Sequence, residues 1–434
     1  MSNDKNREQI NELDQSFWSN VKRQFKKNKR AVFALYCILF LIFIAVFADF
    51  IANEKPIVAK YKGKTYFPIV KQYAVDFGIG KWPKDLQNVK WSDLEYDFVL
   101  FPPVPYMSQN LDYKNSQYKS PFDDQILKSK RWRHWVGTDK LGRDVLAGMV
   151  HGTRIALSVG VISMSISAFL GILFGALAGY FGDNRLRMSR IRLWLNVLFF
   201  FIALFYAFGV RSYILSDALG VSIISLLGQL LLSFLIFFAV MAVANLLVIP
   251  LKKIPFLGKR VDVPVDLSIS RLIEVIISIP RLFLIIAIVA VAKPSLVLVM
   301  VIIGFTSWTG IARLIRAELL KVRNLEYVEA AHALGFNDLR TLLKHAIPNA
   351  LSPVFIAIAF GIASAILIEA GLSFLGIGVP ADVVTWGSML NLVQDYPNAW
   401  WLATFPGFAI FITVTMFNLI GEGLTDALDP RLRQ

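Results

Sequence analysis

RLIEVIISIPRLFLIIAIVAVAKPSLVLVMVIIGFTSWTGIARLIR, residues 271–316, reads as nearly one continuous apolar run, and Lys293-Pro294-Ser295 is the place where it turns. About 20 helical residues at roughly 1.5 Å each cross the ~30 Å hydrocarbon layer of a bilayer. Each half, 271–292 and 295–316, is therefore long enough to span. Working outward, the same pattern recurs at 31–52, 153–180, 191–211, 222–249, 350–371 and 402–421. The expected fold is an all-α, polytopic helical membrane protein with about eight spans. Composition agrees: of 434 residues, 56% are hydrophobic and 18% charged, where a soluble domain is nearer a quarter charged.

The net charge of +14 would suit nucleic acid, but its placement argues against that. A nucleic-acid footprint forms one face or stripe, whereas these basic residues flank apolar runs, as cytoplasmic loops do. Residues 1–30 hold Ile10, Leu13, Phe17, Trp18, Val21 and Phe25 at helical spacing, then a run of Lys and Arg up to Lys29-Arg30. They read as a cytoplasmic amphipathic segment lying on the inner interface. A flexible basic tail is the plainer alternative. With this end inside, the basic connections at 181–190, 250–270 and 317–349 are all inside, as is the tail 425–434 with Arg431 and Arg433. The outer connections at 212–221, 293–295 and 372–401 hold only Lys293. The long segment 53–152 falls outside and carries many lysines; long loops are largely exempt from the rule. Within it, 57–67 alternates around Lys62-Gly63-Lys64, which suggests a small hairpin. Trp132, Trp135, Trp400 and Trp401 fall near outer ends of spans, where indoles favour headgroups, though packing explains them equally. The single cysteine, Cys37, excludes an intrachain disulfide. No cleavable signal peptide is expected, because the first apolar run is too long for one.

The cytoplasmic stretch 322–348 is the most informative for mechanism. Glu329-Ala330-Ala331-His332-Ala333-Leu334-Gly335 and the segment from Leu339 to Pro348 read as two short helices with a sharp corner. Gly335 suits the left-handed conformation that ends a helix. Asn337 or Asp338 suits the cap of the next. Leu339, Leu342, Leu343, Ala346 and Ile347 form an apolar stripe. Pro348 prevents simple continuation into the following span. The small Ala330, Ala331 and Ala333 let another backbone approach. A rigid corner below the membrane is something a motor subunit can grip; a mere connector between spans is the bland alternative.

Catalytic chemistry is missing from the pattern. A phosphate-cradling loop needs Gly, four residues, then Gly-Lys-Ser/Thr. Gly63-Lys64-Thr65 supplies the ending, but Val58 stands where the first glycine belongs. The four histidines show no metal-ligand spacing. No catalytic residue, metal ligand or cofactor is expected on this chain. Glu274 and Glu369 lie within or at the edges of spans, where ionisable groups are costly and often functional. Glu369, with Ser373 one helical turn on, is a candidate for the translocation pathway or a gate, with pairing to a neighbouring helix as the alternative; Glu274, near a cytoplasmic end, reads as one that reaches the interface.

Glu329-Ala330-Ala331 with Gly335 and Ile347-Pro348 resembles the coupling loop of ABC importer permeases, although that loop usually ends in Leu-Pro. Val136-Gly137-Thr138-Asp139 with Gly142-Arg143-Asp144 resembles the C-type permease of dipeptide and oligopeptide importers. So do Glu369-Ala370-Gly371-Leu372-Ser373-Phe374-Leu375-Gly376 and the ending from Gly421-Glu422-Gly423-Leu424 to Arg431. Ile51-Ala52-Asn53-Glu54-Lys55-Pro56 and Tyr66-Phe67-Pro68 look like the Yej-type branch, associated with microcin C and peptide uptake. The resemblance implies a type I importer core of six spans within 153–424, in a bacterial inner membrane. It also implies that Glu329, Ala330, Ala331, Gly335, Asn337, Leu339, Leu342, Leu343 and Pro348 couple to an ATPase. The implied partners are a second homologous permease, P-loop ATPase subunits that bind ATP and Mg, and an extracytoplasmic solute-binding protein. This chain departs from that core by an insertion at 183–265 with two spans of its own. It reads as a peripheral lipid-facing hairpin or a docking site. A self-sufficient secondary transporter, a membrane scaffold or sensor, and a permease for a non-peptide solute such as a nickel complex stay open as alternatives.

Overall fold

The computed structural model describes residues 17–76, 78–87, 89–221, 223–291 and 293–428. The expectations placed on Ile10, Leu13, Asp429, Pro430, Arg431 and Arg433 fall outside them. The chain forms two compact units, Met1–Gly175 with Val275–Gln434, and Ala176–Glu274. The protein is helical, as expected. Among the described residues seven helices are long and apolar enough to cross a membrane, or eight if one broken pair counts as a span.

The broken pair corrects the expected span at 271–292. Helix Val265–Ser278 stops at Ile279-Pro280 and Arg281–Val291 begins anew. Proline lacks the N–H that would continue the ladder, and it disfavours helical backbone in the residue before it. The turn at 293–295 forms where expected: Ser295 accepts from the Leu298 N–H at the start of Leu296–Val322.

In the larger unit, helices Lys29–Val46, Val145–Ala176, Leu296–Val322, Ser352–Phe374 and Trp400–Leu428 supply most of the core. One cluster joins Ile38, Leu157, Ile366, Trp386 and Phe417. Another joins Val159, Ile285, Val299, Ile303 and Leu372. Lipid is as apolar as leucine, so such helices associate through close packing and interhelical hydrogen bonds rather than through burial from water. Ser163 shows this directly, donating across to the Met300 carbonyl at 2.9 Å. Opposite it, Gly304 leaves no room for a Cβ beside the Ser163 carbonyl.

The N-terminal helix Phe17–Lys27 is described at Val21 and Phe25, while the side chains of Phe17 and Trp18 lie outside the described ones. Val21 packs against Ala427 and Leu428, with Phe25 beside them. Asn28 caps the next helix by accepting from the Ala31 N–H at 3.1 Å. Its amide donates to Asp426 at 3.0 Å. The start of the first span and the end of the last thus meet at one end of the bundle.

The segment before Val145 folds into a small lobe. Strands Val58–Tyr61, Lys64–Tyr66 and Phe98–Leu100 form an antiparallel sheet in the order second, first, third. The expected hairpin is there, and Lys62 and Gly63 turn it with φ of 50° and 76°. Two left-handed central residues match the twist of paired strands. Leu86, Trp91 and Phe101 form the core of the lobe, with Trp82, Tyr96 and Trp132 packed on it. Trp401 is buried as well, and its indole donates to the Thr138 carbonyl at 3.1 Å. The packing reading of Trp132 and Trp401 is the one the structure bears out. The following helix starts at Val145 rather than at 153, because Asp144 caps it, accepting from the Ala147 N–H at 2.7 Å.

The smaller unit contains the expected two-span insertion, extended to Ala176–Glu274. Its spans are Arg190–Gly209 and Ser225–Leu251, packed against each other as a hairpin. Short strands Arg187–Ser189 and Arg260–Asp262 pair antiparallel at their common end.

Candidate functional site

The corner is built from local signals. Helix Glu326–Ala333 ends in a double closure: the Gly335 N–H donates to the His332 carbonyl at 2.9 Å and the Phe336 N–H to Ala331 at 3.1 Å. This pattern needs a left-handed residue after the helix, and Gly335 supplies it with φ +82°. A Cβ there would meet nothing within 4 Å, so only the backbone angle calls for glycine. Asn337 then caps Asp338–Thr341, accepting from the Arg340 N–H at 2.8 Å. The Arg340 guanidinium lies 4.6 Å over the Phe336 ring, and that ring is parallel to His345.

Past Thr341 the structure departs from the expected single helix. Leu342–Ala346 is a π turn, in which the Ile347 N–H donates to the Leu342 carbonyl. Pro348 sits in the first turn of the short helix Ile347–Ala350, and Leu351 separates it from Ser352–Phe374. The extra residue of a π turn shifts the side-chain register, and the expected apolar stripe splits. Thr341, Leu342, Ala346 and Ala350 face inward. Leu339 and Leu343 stay exposed, each 59%, and Leu334 is exposed at 77%. Among the expected residues, Glu329, Ala330, Gly335, Asn337, Leu339, Leu343 and Pro348 lie on the open surface, whereas Ala331 and Leu342 anchor the corner from within.

Glu369 and Ser373 sit elsewhere. They are 1% and 3% exposed, and the Ser373 hydroxyl donates to the Glu369 carboxylate at 2.6 Å. Thr385 is the second hydrogen-bonding partner of Glu369, and it also caps helix Trp386–Asp395. The carboxylate thus ties that short helix to Ser352–Phe374, inside packed protein. Glu274 is exposed and paired with Arg271 at 2.7 Å.

An open cavity of about 530 Å³ lies between the membrane helices instead, lined by Arg281, Ser307, Gly310, Arg313, Gly361 and Ser364 among others. Arg281 hydrogen-bonds Ser307 and, at 3.3 Å, Thr306. Arginines are expensive at membrane depth and mark functional paths by default. The sequence carried this signal, since Arg281 and Arg313 interrupt the apolar run 271–316.

Residues 256–434 match the family described as binding-protein-dependent transport system inner membrane component. Residues 16–68 match the N-terminal TM domain of oligopeptide transport permease C. The chain is 27% identical over 433 residues to the inner membrane ABC transporter permease protein YejE of Escherichia coli (strain K12), covering 97% of this chain and 98% of that protein. It is 26% identical over 435 residues to the peptidoglycan transport system permease protein YejE of Agrobacterium fabrum (strain C58 / ATCC 33970), with 95% and 92% covered. It is 30% identical over 319 residues to the di/tripeptide transport system permease protein DppC of Pseudomonas aeruginosa (strain UCBPP-PA14), with 72% and 79% covered. With its spans, its cytoplasmic-type corner and these matches together, the chain belongs to the binding-protein-dependent ABC transporter permeases, inner-membrane components of the oligopeptide permease C kind.

Proposed function

We propose that this chain is the permease subunit of an ATP-driven importer for peptides or peptide-like compounds, and that it converts motion of a separate ATPase into alternating access. The observation that carries the reading is the corner at 326–350: short, closed at Gly335 and capped at Asn337, anchored from within, and bearing exposed Leu334, Leu339 and Leu343. Covering a leucine gains about 1.5–3 kcal/mol, so three bare leucines on a rigid support suit a partner protein. Glu329, Ala330, Ala331, Gly335, Asn337, Leu339, Leu342, Leu343 and Pro348 form the coupling element, directly or as its anchors. ATP and Mg bind to the ATPase, and ATP moves the equilibrium only through better contacts with one state of the transporter.

A second permease completes the path, and a solute-binding protein delivers substrate to the lobe at 53–144. The peptide class is supported by the names of the relatives, which specify di/tripeptide or peptidoglycan transport. The two arginines of the cavity suit carboxylates, which every such compound carries. Asn28 meeting Asp426 supports a first span that starts, and a last span that ends, at one membrane face, and so an even number of crossings. That favours counting the broken pair as one span of eight, and the basic flanks support an inside orientation for that face.

The test is purification of the tagged chain in mild detergent, followed by mass spectrometry and ATPase assay. A second permease and a P-loop ATPase in fixed ratio, with hydrolysis stimulated by a peptide-loaded binding protein, is the expected result. A chain that transports alone after reconstitution would overturn the proposal in favour of a secondary transporter.

A further inference from the structure

The smaller unit carries a second polar site that coupling does not use. At the common end of its two spans lies a cavity of about 700 Å³, lined by Arg187, Arg192, Lys252, Lys253, Arg260 and Asn245 together with an apolar edge at Val248 and Ile249. Its shape is fixed by pairing rather than by loops. Arg187 faces Asp262 and Ser189 faces Arg260 across the two-stranded ribbon, and the Arg190 N–H donates to the Lys259 carbonyl at 2.9 Å. Gly258 allows the chain to pass directly over the Lys252 carbonyl, where a Cβ would collide. The Arg192 guanidinium donates to Asn245 at 3.1 Å, and Asn245 donates on to Asn196.

The charge balance is one-sided. Arg187 is paired with Asp262 at 2.7 Å. Among the described residues Lys252, Lys253 and Arg260 pair with no carboxylate. Position identifies the anion that fits. Lys252 and Lys253 follow immediately on Ser225–Leu251, and Arg190 and Arg192 open Arg190–Gly209. Helices of span length end at the headgroup layer, so these cations lie at phosphate depth. Exposed Leu246, Leu247 and Ile249 continue from the cavity toward the hydrocarbon. No aromatic ring is among the lining residues to stack a base.

We infer that this cavity binds the phosphate headgroup of an anionic phospholipid, its acyl chains lying along the apolar edge. Basic pockets beside membrane helices bind such headgroups through the same charge and donor chemistry. The Arg192 guanidinium, held in place by Asn245, supplies donors, with Lys252, Lys253 and Arg260 as the neutralising charges.

The experiment uses the full chain with whatever subunits accompany it. Lipid retained after detergent purification is measured by native mass spectrometry. Melting is followed with added phosphatidylglycerol, phosphatidylcholine or inorganic phosphate. The wild type is expected to retain phosphatidylglycerol over phosphatidylcholine, and only the anionic lipid should raise its melting temperature. The Lys252→Gln/Lys253→Gln/Arg260→Gln variant should lose at least about tenfold in that retention, while Lys252→Arg/Lys253→Arg keeps it. Equal retention of both lipids, or unchanged retention in the neutralised variant, overturns the inference. So does a shift with inorganic phosphate alone that equals that of the lipid, which would mark a site for a soluble anion. If the triple variant is not recovered folded, Lys252→Gln and Lys253→Gln singly decide, and unchanged retention in both overturns it.

Discussion

At 326–350 the chain leaves three leucines bare on a scaffold of capped short helices, whereas around His134 it buries an imidazole between two carboxylates. The network around His134 is closed. His134 Nδ1 lies 2.7 Å from Asp144, its Nε2 lies 3.3 Å from Asp112, and Tyr106 stacks on the ring. Asp144 also caps the helix that begins at Val145. Asn115 donates to Asp112 at 2.8 Å. Every strong group in that network has a partner within the chain, so the lobe owes its order to itself. The corner keeps its backbone satisfied but its apolar surface open, which is the condition of a surface awaiting a partner. One region is finished by folding; the other, under the proposed function, is finished by assembly.

The comparison is broken most forcefully at Asp144. Asp144→Ala removes a buried ion partner and a helix cap together, and should destabilise the purified protein by about 3–5 kcal/mol. Melting in detergent reads this, while transport per folded molecule should hold. A loss under about 1 kcal/mol would show that the His134 network does not order the lobe.

Leu334→Asp combined with Leu339→Asp reverses the pattern. Because both side chains are exposed, melting should move by no more than about 0.5 kcal/mol. Uptake should fall about 10- to 100-fold, with loss of the ATPase from the purified complex. A fall in melting temperature without loss of ATPase would mean that the corner packs within its own chain.

Gly335→Val lies between these extremes. It adds about 1–2 kcal/mol of left-handed strain where the space is open, so the corner loosens but survives. ATP hydrolysis measured beside uptake should show the ratio of uptake to hydrolysis falling several-fold; an unchanged ratio would remove Gly335 from the coupling element.

The smallest effect is in pH. Burial by itself would lower the His134 pKa, but the hydrogen bond and charge of Asp144, followed by those of Asp112, outweigh it and hold the pKa above the ordinary 6.5. A raised folded value means that the stabilisation is fully present below about pH 6.5 and is lost as pH rises through that folded value. Burial would raise Asp112, but hydrogen bonds from Asn115 and His134 prevail and hold it below 3.8. Its contribution is therefore present above that value and lost as pH falls. Melting temperature should decline gently on the alkaline side, and His134→Asn should flatten the decline. A profile unchanged by that substitution would separate His134 from the stability of the lobe.

Much of this was legible in the sequence, and the legible parts share a cause. The spans follow from about 20 consecutive apolar residues. The hairpin follows from Lys62-Gly63, and the corner from Gly335 and Asn337, because each of these acts through its own backbone. The inserted hairpin was also visible, since its two apolar runs and their basic flanks are contiguous in the chain.

Other features were decided only by contacts between distant residues. Glu369 looked like a pathway residue from its place in a span, yet Ser373 and Thr385 enclose it. Arg281 and Arg313 interrupt an apolar run, but only Ser307 and Ser364 coming round make a cavity with them. Leu339 and Leu343 belong to the same helical stripe as Leu342 in the sequence, yet in the fold Leu342 is buried and they stay exposed on either side of it. Val21 and Phe25 of the N-terminal helix could have faced lipid, but Ala427 and Leu428, at the far end of the chain, pack with them. Hydrophobicity, turn chemistry and capping are local free energies that a short window contains. Which polar group ends in a cavity, and which apolar one stays bare, depends on neighbours that folding alone brings into place.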